Sequence, residues 1–180
     1  MARTTFQGPV RSLAGMYNQG PAAVVAITAS TTLNPTDHAG RIISVGGTLA
    51  ADVVLTLPAI DVSTNPTTSG PGQDPSTSNN QGVVYTIWVP TTIATSSLKI
   101  GTNGTDKYVG TILLNDTDSD GATMLGYSAA AANDFINLNG TTTGGVAGSW
   151  VQIFAIAANK YMVNGLVMAT GSVATPFANS

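Results

Sequence analysis

Asn115-Asp116-Thr117-Asp118-Ser119-Asp120-Gly121 is the one string in this 180-residue chain whose side chains are spaced to hold a metal ion. Oxygen ligands at alternate positions followed by glycine match the first half of an EF-hand-like loop, which takes a hard cation such as calcium. The second half fails. Counted from Asp116, the twelfth position is Tyr127 instead of a bidentate glutamate, and neither flank reads as helix. An acidic, solvated turn between strands is the preferred reading, with calcium on Asp116, Asp118 and Asp120 as the alternative.

Other chemistry is hard to assemble. Asp37-His38 invites a Ser-His-Asp triad, but adjacent residues rarely point correctly and no Gly-x-Ser-x-Gly elbow is present. A polar loop after Asn34-Pro35 is preferred. Glycoside cleavage by paired carboxylates would need an aspartate buried in an apolar pocket as the acid, because the chain has no glutamate. Gly46-Gly47 and Gly144-Gly145 lack the lysine and helix of a phosphate cradle and read as turns. With no cysteine, a thiolate site and a disulfide framework are both excluded. No catalytic residue is assigned, and neither an enzyme nor a small-molecule substrate is expected.

Charged residues make up only 8% of the chain against about 25% in an average domain. Six Lys and Arg against nine Asp give a net charge of -3, so no basic stripe exists to neutralise phosphates. Nucleic acid is not an expected partner. The longest apolar run, residues 22–27, is far short of a membrane span, and the first residues lack the apolar core of a signal peptide. A soluble protein without a membrane partner is expected.

These residues need elements to hold them. Residues 1–21 have no period of 2 or 3.6 and are punctuated by Gly8-Pro9, Gly15 and Gly20-Pro21, which reads as an extended N-terminal arm. Phe6, Leu13, Met16 and Tyr17 give that arm apolar groups to bury, and Arg3 and Arg11 could pair with acidic surfaces. Short segments rich in Val, Ile, Leu, Thr and aromatics follow, at 24–28, 41–45, 53–57, 83–89, 98–100, 108–114, 135–138, 150–156 and 161–168. They predict an all-β fold, an antiparallel β-sandwich or jelly-roll-like domain over 22–171. From 83 to 89 the odd positions are Val, Tyr or Ile, so Trp88 should face away from the core. The last two strands should form a hairpin around Asn159. Ala129 to Ala132 has the makings of one helical turn. Residues 61–82, with Pro66, Pro71 and Pro75, read as a long polar surface loop. Residues 172–180 form a C-terminal tail, read as a shorter second arm.

The succession Asp52-Val53-Val54-Leu55-Thr56-Leu57-Pro58-Ala59, Gly82-Val83-Val84-Tyr85-Thr86-Ile87-Trp88-Val89, Gly148-Ser149-Trp150-Val151-Gln152-Ile153-Phe154-Ala155 and Lys160-Tyr161-Met162-Val163-Asn164-Gly165 resembles a β module of tailed-phage structural proteins. It is similar to capsid decoration (cement) proteins, head fibres and some tail fibres, over 51–171. The resemblance implies a homotrimer on the outer face of a phage head, made in a bacterial cytoplasm. There it would bind the major capsid protein and resist separation of its subunits, with the arm making the capsid contacts. It also implies that the sequons at Asn103, Asn115 and Asn139 are chance matches. Tyr85, Trp88, Trp150, Phe154 and Tyr161 are then expected in the core or the trimer seam, with a sugar-stacking platform as the alternative. The second reading is a fibre or spike module that binds a host receptor or glycan through the 61–82 loop and exposed aromatics. Composition points the same way as the trimer: apolar strands without lysine-guarded edges pair edge to edge unless assembly closes them.

Overall fold

The computed structural model describes Leu13 and residues 19–62, 80–118 and 123–180. These form twelve strands: β1 (Val24–Ala26), β2 (Thr31–Thr32), β3 (Ile42–Ser44), β4 (Val53–Thr56), β5 (Val84–Trp88), β6 (Leu98–Gly101), β7 (Lys107–Asp116), β8 (Met124–Ser128), β9 (Phe135–Leu138), β10 (Trp150–Ala157), β11 (Lys160–Ala169) and β12 (Phe177–Ala178). A seven-stranded sheet has the order β1-β3-β5-β10-β11-β7-β8, and a five-stranded sheet the order β12-β9-β6-β4-β2. The fold is all-β, as the segment pattern predicts. One hydrophobic cluster takes buried side chains from both sheets, among them Ile43, Ile87 and Val163 from the large one and Leu55, Ile100 and Ile136 from the small one.

The expected antiparallel arrangement is corrected: both sheets are mixed. From β1 to β6 the chain alternates between the sheets, and a strand that returns after one excursion runs in its original direction. Hence β1, β3 and β5 pair in parallel, as do β2, β4 and β6. Parallel neighbours need a long crossover, and here a strand of the other sheet supplies it. Turn residues mark where the chain bends, but not whether it bends back within its sheet or across to the other. The predicted closing hairpin is present: β10 and β11 pair antiparallel, and Asn159 takes the left-handed φ of 61°. β7 lies parallel to β11 on its far side.

Three local expectations change. The loop after Asn34 is a one-turn helix, α1 (Pro35–His38), because the Asn34 side chain accepts the Asp37 N–H at 2.8 Å and Pro35 opens the turn. Residues 129–132 make a turn instead of a helix: Asn133 Oδ1 accepts the Ala130 N–H at 2.7 Å and closes it locally. The 172–180 tail is bound to the protein's own small sheet. Phe177 is buried opposite Ile136, and Ser180 donates its N–H and hydroxyl to Asp134. The buried Phe177 ring and, three residues on, the Ser180 bonds to Asp134 hold the segment at two points. Of the 61–82 loop, residues 63–79 lie outside the described residues. Its neck is closed: Asp61 N–H donates to Asn80 Oδ1 at 2.9 Å, Asn80 N–H to the Asp61 carbonyl at 3.0 Å, and Asn80 Nδ2 to the Ala59 carbonyl at 2.8 Å.

Three tyrosines share the core. The Tyr108 hydroxyl donates to the Ile100 carbonyl at 3.0 Å and the Tyr161 hydroxyl to the Pro58 carbonyl at 2.7 Å, whereas the Tyr85 hydroxyl has no partner among the described residues. Tyr108→Phe is therefore expected to cost about 0.5–1.5 kcal/mol, the net worth of one buried hydrogen bond, while Tyr85→Phe leaves stability unchanged or raised. Denaturant melts of the two variants check this. At the tail, burial pushes the Asp134 carboxyl up, but the Lys107 ammonium at 2.7 Å and the two Ser180 bonds outweigh it and hold it below the ordinary carboxylate value. A lowered folded pKa stabilises above the unfolded value and fades as pH falls through the folded one. Asp134→Asn should thus lower the melting temperature at pH 7, and its deficit against the parent protein should close as pH drops below about 4.

Candidate functional site

The large sheet turns one face to the shared core, and its other face is bare of any described element. Strand alternation and register sort its outward side chains into rows. One row runs Ser44, Trp88, Trp150, Leu166, Leu113, Gly126 across six strands. The next runs Ile42, Thr86, Gln152, Asn164, Thr111, Ser128. A third holds Val84, Phe154, Met162 and Val109. None of these residues is buried. Among the described residues, the only charges in outward positions of the sheet are Lys107 and Lys160, opposite each other at one margin.

Such a face is suited to contact. Two apolar rows flank a neutral polar row whose groups partly satisfy one another: Gln152 Nε2 donates to Thr86 Oγ1 at 3.3 Å, and the Thr111 and Ser128 hydroxyls lie 3.1 Å apart. Polar groups paired within the face lose less when a partner covers them. Seven strands spaced about 4.8 Å apart, each about six residues long at about 3.3 Å per residue, give an area of about 700 Å². That is close to the roughly 800 Å² per partner of a standard protein interface.

The five aromatics picked out from the sequence divide between the two sides. Tyr85 and Tyr161 are core, with burial pushing both hydroxyls well above the ordinary tyrosine value. Trp88 and Trp150 are directly opposite each other on the outer face, 39% and 37% exposed, and half-buried Phe154 shares that face. Ile42, Leu113, Met124 and Met162 were not anticipated there. Their signal was available in runs such as Ile42-Ile43, Ile112-Leu113-Leu114 and Tyr161-Met162-Val163, because consecutive apolar residues on a strand cannot all face one core.

Of the arm set, Arg3, Phe6, Arg11, Met16 and Tyr17 lie outside the described residues, and Leu13 is exposed. In the acidic turn, Asp120 also lies outside them. Asp116 Oδ1 accepts the Asp118 N–H at 3.2 Å, and Asp118 Oδ2 accepts the Gly171 N–H at 2.5 Å, so both carboxylates already tie the turn to the protein's backbone. His38 is buried, and its Nδ1 accepts the Asn34 N–H at 3.0 Å. Asp106, not singled out from the sequence, is a buried carboxyl that desolvation pushes up although the Ile60 N–H bonds it at 3.0 Å. Perturbed carboxyls mark acid–base sites in many enzymes. Asp106 instead ties the strand-end segment at Ile60 to its own loop, where its N–H is held by Asn103 and its carbonyl by Thr102.

Thermal melts with added calcium and with EDTA are expected to coincide, since Asp116 and Asp118 serve backbone donors; a calcium-dependent rise would show that the turn closes on an ion. No family model, no curated protein and no solved structure matches the chain.

Proposed function

We propose that this chain is a non-catalytic structural protein of a phage head, a decoration protein that works as a homotrimer and strengthens contacts between major capsid subunits. The observation that carries the reading is the outer face of the large sheet, contiguous, mostly apolar and uncharged except at one margin. Large uncovered apolar areas mark interaction surfaces, and closing them between identical copies leaves no charge stranded. The proposal includes the finer architecture: the two sheets stack as the layers of a sandwich around their common core. It also includes the division of labour that the resemblance implies. The rigid β unit is a hub, and residues 1–21 reach neighbouring capsid subunits, so many weak contacts act together. The site of action is the outer surface of the virion.

A second reading is favoured by one feature. Trp88 and Trp150 stand side by side next to the neutral row of Thr86, Gln152 and Asn164, and aromatic faces beside uncharged hydrogen-bonding groups suit a neutral glycan. A fibre module binding a host glycan would be present in few copies per particle, a decoration protein in hundreds.

Sedimentation of the purified chain at micromolar concentration should give a species built from three-subunit units. Trp150→Lys with Leu113→Lys should weaken that species while leaving the melting temperature of the subunit nearly unchanged, because surface substitutions rarely move stability by more than about 0.5 kcal/mol. Removing residues 1–21 should leave the trimer intact and abolish binding to undecorated heads. A lone, well-behaved subunit with no affinity for shells overturns the proposal.

A further inference from the structure

Four strands end the two sheets, and three of them are short: β1 has three residues, β2 and β12 two each. The fourth, β8, has five, Met124-Leu125-Gly126-Tyr127-Ser128, with no charge and no proline. Short strands, charges and prolines are the usual guards of a sheet edge, and β8 has none of them.

The direction of its backbone groups follows from two hydrogen bonds. Asp116 N–H donates to the Thr123 carbonyl at 2.9 Å, and Ala129 N–H to the Gly110 carbonyl at 3.0 Å. In an antiparallel ladder bonded pairs alternate with unbonded ones. Residues 123, 125, 127 and 129 therefore turn their backbone groups toward β7, and Met124, Gly126 and Ser128 turn theirs to the free edge. Among the described residues nothing bonds that edge. Side chains are open on both sides of it: Met124 is 60% exposed on the outer face and Leu125 38% exposed on the core side.

We infer that β8 pairs antiparallel with β8 of a second copy of this chain, across a two-fold axis at Gly126. The register is self-complementary. Gly126 meets Gly126 of the second copy, and Met124 meets Ser128, so every outward N–H and carbonyl of the three residues finds a partner. On the core side Leu125 comes to lie beside Tyr127 of the second copy, which covers the apolar side chain the lone subunit leaves open. At the axis Gly126 faces its own copy, and no like charges meet. The axis stands perpendicular to the sheet, so both outer faces point the same way and the row from Trp88 through Leu113 to Gly126 continues into the second copy. The joint leaves the face of the proposed trimer uncovered and goes beyond that reading: it links subunits sideways.

The chain has no cysteine, which makes a single introduced thiol a clean reporter. A Cβ at Gly126 meets only Leu113 and Thr111 methyl carbons at 3.7 Å, ordinary contacts, so Gly126→Cys should fold. In the full-length protein, a short bis-maleimide should join Gly126→Cys subunits into covalent pairs about tenfold or more faster than Lys160→Cys subunits, whose thiol sits at the far margin, because the joint raises the effective concentration. Gly126→Lys should place two ammonium groups against each other and shrink the paired species in sedimentation, with the circular dichroism spectrum unchanged. Equal cross-linking of the two cysteine variants, or pairing unaffected by Gly126→Lys, overturns the joint. Sedimentation of the parent chain reads the trimer separately: a trimer without preferential cross-linking leaves the functional proposal standing, and cross-linked pairs without a trimer leave the joint standing.

Discussion

Across the large sheet, Val25, Ile43, Ile87, Val151, Gly165 and Ile112 stand in register, one per strand, and all turn inward. Burying that ladder in the shared core fixes the rest, because a strand shifted by one residue would exchange its two sides completely. The glycine in the ladder reflects how tightly it is drawn: a Cβ on Gly165 would sit 2.5 Å from the Trp150 carbonyl. Once the ladder is inside, Trp88, Trp150, Leu166 and Leu113 have no choice but the outside. The exposed apolar face is thus a consequence of register, in strands that carry apolar residues on both sides.

Much of this was readable in advance. The alternation in 83–89 placed Tyr85 and Ile87 inside and Trp88 outside, and Asn159 marked the hairpin, since few residues accept its backbone conformation. Each of the nine segments picked out as strands overlaps one. The missed ones have reasons. β2 and β12 have two residues each, too few for a period, and β8 carries Gly126 and no β-branched residue. Parallel pairing was invisible because it depends on which sheet a strand joins, a decision made by contacts distant in sequence.

The candidate site was legible only in part. An aromatic in a strand reads as core until both sides of the strand are weighed, which is why Trp150 and Phe154 were grouped with Tyr85 and Tyr161. The edge at β8 required more: the phase of its hydrogen bonds comes from Asp116 and Ala129 and has no signature in residue types. Conversely, the aspartates most conspicuous in the sequence, Asp116 and Asp118, spend their oxygens on backbone donors, as short acidic side chains in turns commonly do.

The clasp between Asp61 and Asn80 separates two design problems that are usually coupled. With entry and exit fastened to each other and to Ala59, the spacing of β4 and β5 does not depend on how many residues pass between, and the entropy of a longer excursion grows only logarithmically. A foreign peptide could be spliced there while the pleated scaffold registers none of it.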